Sequence, residues 1–106
     1  AIADAGTDPA DHTVLTGVNY VDGVPEAWFT TRTDGNTLRL RVGDKLIQDG
    51  DQIRKSDPQG ESGPITEIGR VAQMRDSDLI LERDGERWLL TIGETLAQAY
   101  VLPPEL

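Results

Sequence analysis

Residues 32–46 read RTDGNTLRLRVGDKL, and residues 82–96 read ERDGERWLLTIGETL. The likeness extends outward. A slide of fifty positions sets LTGVNYVDGVPEAWFTTRTDGNTLRLRVGDKL (15–46) against ITEIGRVAQMRDSDLILERDGERWLLTIGETL (65–96) without a gap. Seven pairs are then identical: Thr16/Thr66, Val21/Val71, Asp34/Asp84, Gly35/Gly85, Leu40/Leu90, Gly43/Gly93 and Leu46/Leu96. Conservative pairs such as Leu15/Ile65, Val18/Ile68, Phe29/Leu79, Val42/Ile92 and Asp44/Glu94 fill the spaces between them. The chain therefore reads as one structural unit written twice.

Each copy is patterned as strand, strand, turn, strand. Asp34-Gly35 and Asp84-Gly85 stand between alternating apolar runs, where a tight hairpin needs residues that tolerate positive φ. After the first turn, Leu38, Leu40 and Val42 alternate with Arg39 and Arg41, the period of a strand with one buried and one wet face. Trp88, Leu90 and Ile92 take the same inward positions in the second copy. Before the turns, Phe29 faces inward with Leu79 and Leu81, and Trp28 and Ile80 lie on the opposite faces. Gly43-Asp44 and Gly93-Glu94 end the third strands with a bend, and Leu46 and Leu96 follow as anchors. Thr95–Val101 reads as a short helical turn or another extended piece before Pro103-Pro104.

The expected fold is all-β: six strands in two similar three-stranded antiparallel sheets, packed as a small sandwich or semi-open barrel. Its expected core is Val18, Phe29, Leu38, Leu40, Val42, Ile68, Leu79, Leu81, Trp88, Leu90 and Ile92. Residues 15–102 form a single β domain, with copies 15–46 and 65–96 joined by a polar loop, 47–64. Residues 1–14 (AIADAGTDPADHTV) read as a flexible acidic lead-in and 103–106 as a tail.

Composition narrows the function. With 106 residues the chain has the size of one domain, and one Phe, two Trp and two Tyr leave the core to Leu, Ile and Val. Nineteen acidic against ten basic residues give a net charge of -9, which repels nucleic acid and anionic membranes. The absence of cysteine removes disulfides, thiolate nucleophiles and Cys-based zinc sites. No apolar run reaches the length of a membrane span, and no secretory leader pattern is present.

Candidate chemistry is sparse. His12 is the only histidine and follows Asp8 and Asp11 in a segment with too few ligands to fix a metal. Asp49, Asp51, Asp57 and Glu61 could offer oxygens to calcium, but without the regular spacing that wraps one ion. No Ser-His-Asp set can be assembled without bringing the lead-in into a cleft. More informative is the outward face of the first copy. Arg39 and Arg41 alternate on one strand and Trp28 faces the same way, the residue types enriched at protein interfaces. The partner-binding residues expected are Thr16, Trp28, Arg39 and Arg41, with no catalytic residue, no metal and no cofactor.

Five segments carry a family likeness: LTGV (15–18), EAWFTTRTDG (26–35), RLRVGDKL (39–46) with its Val-Gly-Asp step, ITEIGRV (65–71) and DLILERDGERWLL (78–90). On them the chain resembles the periplasmic homology region of the inner-membrane C component of type II secretion systems, and the related P lipoprotein of type IV pilus assembly. The resemblance implies two small three-stranded sheets facing each other and a non-catalytic role in protein transport. It also implies a periplasmic location, as the soluble part of an inner-membrane-anchored protein. The implied partners are the periplasmic domain of the outer-membrane secretin and the inner-membrane platform proteins, with no nucleic acid and no small-molecule substrate. The long loop departs from the family pattern, and the lead-in lacks a membrane anchor or lipidation Cys, as expected of an excised domain. The alternative is a small acidic structural or calcium-binding β-domain of a larger surface protein.

Overall fold

The computed structural model describes residues 9–32, 35–50, 52–56 and 65–104. Among them are nine strands: β1 (Thr13–Val21), β2 (Val24–Thr31), β3 (Thr37–Leu40), β4 (Lys45–Asp49), β5 (Gln52–Lys55), β6 (Ile65–Met74), β7 (Asp78–Arg83), β8 (Glu86–Thr91) and β9 (Tyr100–Val101). Two antiparallel sheets result, one of order β1-β2-β3 and one of order β5-β4-β6-β7-β8-β9. The all-β, two-sheet expectation holds. The second sheet gains three strands because β4 and β5 form a hairpin that runs from the end of the first copy into the segment expected as loop 47–64, and β9 pairs back on β8. Order also reaches into the expected lead-in: a 3-10 turn spans Pro9–Asp11, β1 starts at Thr13, and Thr13 and Val14 are buried.

The tightest hairpins follow from Asp-Gly pairs with both residues at positive φ. These are Asp22-Gly23 (53° and 80°) between β1 and β2, and Asp84-Gly85 (53° and 79°) between β7 and β8. Gly35 lies in a wider loop, where Thr31 N–H donates to Asn36 O at 2.9 Å. Asp34 lies outside the described residues.

The halves are equivalent, but not at a constant spacing. Ala27 and Phe29 pair with Leu40 and Leu38, as Leu79 and Leu81 pair with Leu90 and Trp88. Leu15 pairs with Phe29 before a bulge at Thr16, as Val71 pairs with Leu81 before a bulge at Ala72. The spacing is thus fifty residues for β3 and β8, fifty-two for β2 and β7, and fifty-six for β1 and β6. This corrects the gapless alignment: Thr16/Thr66 and Val21/Val71 are not structural equivalents, whereas Leu40/Leu90, Gly43/Gly93 and Leu46/Leu96 are. The hairpins differ in length, and pairing tolerates changes of two residues because side-chain direction repeats every two.

The halves also clasp each other reciprocally. Gly43 N–H donates to Val71 O (2.8 Å) and Val71 N–H to Asp44 O (2.9 Å). Gly93 N–H donates to Leu15 O (2.8 Å) and Leu15 N–H to Glu94 O (3.0 Å). The Asp44 carboxylate accepts the Arg41 N–H at 2.8 Å, as the Glu94 carboxylate accepts the Thr91 N–H at 3.0 Å. The third strand of each half therefore ends in a glycine turn held by the first strand of the other. After the turn, Lys45 pairs with Arg70 and Thr95 with Val14, again equivalent positions.

The central core repeats the relation. Its ten buried residues are Leu15, Ala27, Phe29, Leu40, Leu46, Val71, Leu79, Leu81, Leu90 and Leu96. They form five equivalent pairs: Leu15/Val71, Ala27/Leu79, Phe29/Leu81, Leu40/Leu90 and Leu46/Leu96. Of the other expected core residues, Leu38, Ile68, Trp88 and Ile92 pack against this cluster half-buried, and Val18 is half-buried. Val42 is corrected, because β3 stops at Leu40 and the side chain is 54% exposed in the turn. Ile80, read as outward-facing, is 2% exposed, and Leu89, which alternates with the inward Trp88 and Leu90, is 9% exposed.

Candidate docking face

Period-2 alternation sends Glu26 and Trp28 of β2 and Arg39 of β3 to the outer face of the first sheet. Trp28 and Arg39 are cross-strand partners, and the Arg39 guanidinium lies over the indole at 4.6 Å from its centroid. That is a cation–π contact which leaves the guanidinium edge free to donate. The Trp28 Nε1–H donates to Glu26 Oε1 at 3.3 Å, and Arg41 Nε donates to Glu26 Oε2 at 3.2 Å. Thr16, the extra residue of the β1 bulge, donates its hydroxyl to the Trp28 carbonyl at 3.0 Å. A bulge re-aims a side chain in this way.

All four residues expected from the sequence are brought to this one cluster. Its missing member was Glu26, whose side chain is buried while Arg41 stays largely exposed. The signal was available, since Glu26 stands two positions before Trp28 on the same strand and so faces the same way. Glu26 neutralises Arg41, which is also fixed through its backbone to Asp44. Arg39 forms no ion pair among the described residues. The face thus presents an aromatic plate under a guanidinium that has no ion-pair partner among the described residues, on a molecule of net charge -9. Such an arrangement suits a carboxylate or a backbone carbonyl on a protein partner, and little side-chain entropy is lost when it docks.

The second half differs at the equivalent positions. Ile80 stands for Trp28, Leu89 for Arg39, Thr91 for Arg41, Asp78 for Glu26 and Ala72 for Thr16. Ile80 and Leu89 are buried, and Asp78 pairs instead with Arg75 at 2.6 Å. That pairing raises the Arg75 pKa above its ordinary value, through the hydrogen bond and charge of Asp78.

Of the acids considered for calcium, Asp49 pairs with Arg54 at 2.9 Å, and Asp51, Asp57 and Glu61 lie outside the described residues. Among the described residues no three His, Asp or Glu side chains converge as a metal site. No helix among them is long and apolar enough to cross a membrane. Compared with protein-family models, with curated proteins and with solved structures, the chain finds no match.

Proposed function

We propose that this domain is a non-catalytic interaction module of a bacterial envelope-spanning secretion or pilus machine. In this reading it sits in the periplasm as the soluble part of an inner-membrane-anchored protein. It holds the inner-membrane platform to the periplasmic domain of the outer-membrane secretin. The observation that carries the reading is the Thr16–Glu26–Trp28–Arg39–Arg41 cluster, an ordered aromatic and cationic face present in one half of a repeated fold, whereas buried Ile80 and Leu89 take the places of Trp28 and Arg39 in the other. The family resemblance supplies the identity of the partner. β3 is the edge of its sheet, so a partner strand laid beside Thr37–Leu40 would come next to Arg39 and Trp28.

The test is calorimetric titration of the purified domain with the N-terminal periplasmic domain of a secretin, at low and high salt. The expected result is reversible binding that weakens as salt rises. Arg39→Glu is the diagnostic variant, because Arg39 holds no other side chain in charge balance, whereas Arg41→Glu would place a second carboxylate against Glu26. Arg39→Glu should weaken binding at least about tenfold, or ~1.4 kcal/mol, with an unchanged melting curve. Absence of binding, or equal affinity of the wild type and Arg39→Glu, rejects the assignment.

A further inference from the structure

A cavity of about 310 Å³ opens beside the core, between the inner face of the six-stranded sheet and the two 3-10 turns, Pro9–Asp11 and Leu96–Gln98. Ile68, Leu81, Leu96 and three alanines, Ala10, Ala97 and Ala99, give it apolar surface, while Gln48 and Thr66 add polar lining and neither bonds the Trp88 indole. Trp88 lines it, and the Trp88 Nε1–H is buried without a hydrogen-bond acceptor. Native proteins satisfy nearly all such donors, so an orphan beside an open cavity calls for an explanation. Arg83 also lines the cavity, with its guanidinium 5.0 Å from the Trp88 ring centroid. Among the described residues it makes no ion pair.

We infer that this cavity is a binding site for a short apolar chain ending in a carboxylate, with the carboxylate accepting from Trp88 Nε1–H and Arg83. Indole and guanidinium are donors only, so together they require an acceptor and favour an anionic one. The apolar part of the lining accommodates an aliphatic tail, in a volume at the small end of ligand sites. Glu67 and Asp84 border Arg83 on its outer side and repel any anion, so affinity depends on burial of an apolar tail. Inorganic phosphate and acetate are therefore poor ligands. The fold supplies its own control, because the equivalents of Trp88 and Arg83 in the first half are Leu38 and Thr31, which offer neither the indole nor the guanidinium. The site lies away from the Trp28 face and stands independently of the docking function.

One ligand chemistry here has two sources, a free aliphatic acid or the C-terminal residue of a polypeptide. The probes are octanoate and octanamide, and acetyl-Ala-Ala-Leu as the free acid and as the amide. They are titrated into the intact ¹⁵N-labelled protein. The chain has two tryptophans, hence two indole N–H signals, and Trp28 is the internal reference because its N–H is already bonded to Glu26. Binding shifts the Trp88 indole signal downfield and leaves that of Trp28 in place. Trp88→Phe assigns the signal, and Arg83→Gln, at a rim position, weakens binding roughly tenfold without disturbing the remaining spectrum. A response to octanoate alone assigns a free acid. A response to the peptide acid but not to its amide assigns a chain terminus. The inference is overturned if neither acid moves the Trp88 signal, if the amides bind as well as the acids, or if Arg83→Gln binds unchanged.

Discussion

Glu26 and Arg41 meet at 3.2 Å with opposite exposures: the carboxylate side chain is 9% accessible and the guanidinium side chain 53%. Glu26 is thus the buried keystone of a surface cluster, one oxygen holding Arg41 and the other the Trp28 indole. A buried carboxylate with two charge-assisted partners is more than an exposed ion pair, whose contribution would be small.

Glu26→Ala removes both anchors and leaves the indole N–H without its acceptor. The expected cost is about 1–3 kcal/mol in urea unfolding. The Trp28 contribution to fluorescence should shift to the red as the ring loosens. A variant with wild-type stability and unchanged emission would place the organising role elsewhere.

The five-pair core gives a sharper test. Leu40 and Leu90 are equivalent and fully buried, so Leu40→Ala and Leu90→Ala should each cost about 2–5 kcal/mol. Val42→Ala, read from the sequence as a core change, should fall within about 0.5 kcal/mol of the wild type because the side chain is in solvent. Chemical denaturation of the three variants checks the order.

Much of this was legible because β-structure is periodic. Spacings of fifty, fifty-two and fifty-six are all even, so a gapless shift that mispaired the first two strands still assigned Phe29, Leu79 and Leu81 to the inner face. What periodicity could not show was where strands stop, or which elements cover a face. Val42 continues the alternation of β3, but the backbone has already turned toward Gly43. Ile80 and Leu89 obey the alternation, yet in the six-stranded sheet they are buried on the face that the matching strands of the other half leave to Trp28 and Arg39. The cluster around Trp28 was legible because Arg39 and Arg41 break the similarity of the halves. Glu26 went unseen because an acidic residue in an acidic chain carries no contrast.

Gly43 and Gly93 have φ of 95° and 96°, a region unfavourable for a side chain, although space for one exists. Gly43→Ala and Gly93→Ala should therefore each destabilise the fold by about 1–2 kcal/mol through backbone strain alone. Equal losses in thermal or urea melts are expected from their equivalent roles, and loss at only one of them would show that the two clasps are not alike.

The reciprocal clasp dictates how the chain can be divided. The turn at Gly43 bonds to Val71 and the turn at Gly93 to Leu15, so every interlocking hydrogen bond runs between halves. The core follows the same rule, with five residues from each half closing on five from the other. A fragment holding β1–β5 or β6–β9 alone would expose its share of that core and leave the turn and first-strand backbone groups without their partners, which removes most of the apolar burial that holds it folded. Two fragments separated between Ser56 and Ile65 should each lack a cooperative melt, and mixing them in equal amounts should restore one, with strand-type circular dichroism and dispersed amide signals. The recovered complex should lose stability on dilution, because the joining segment no longer supplies a high effective concentration. If either fragment melts cooperatively by itself as a monomer, the halves are independent units and the clasp is an accessory to them.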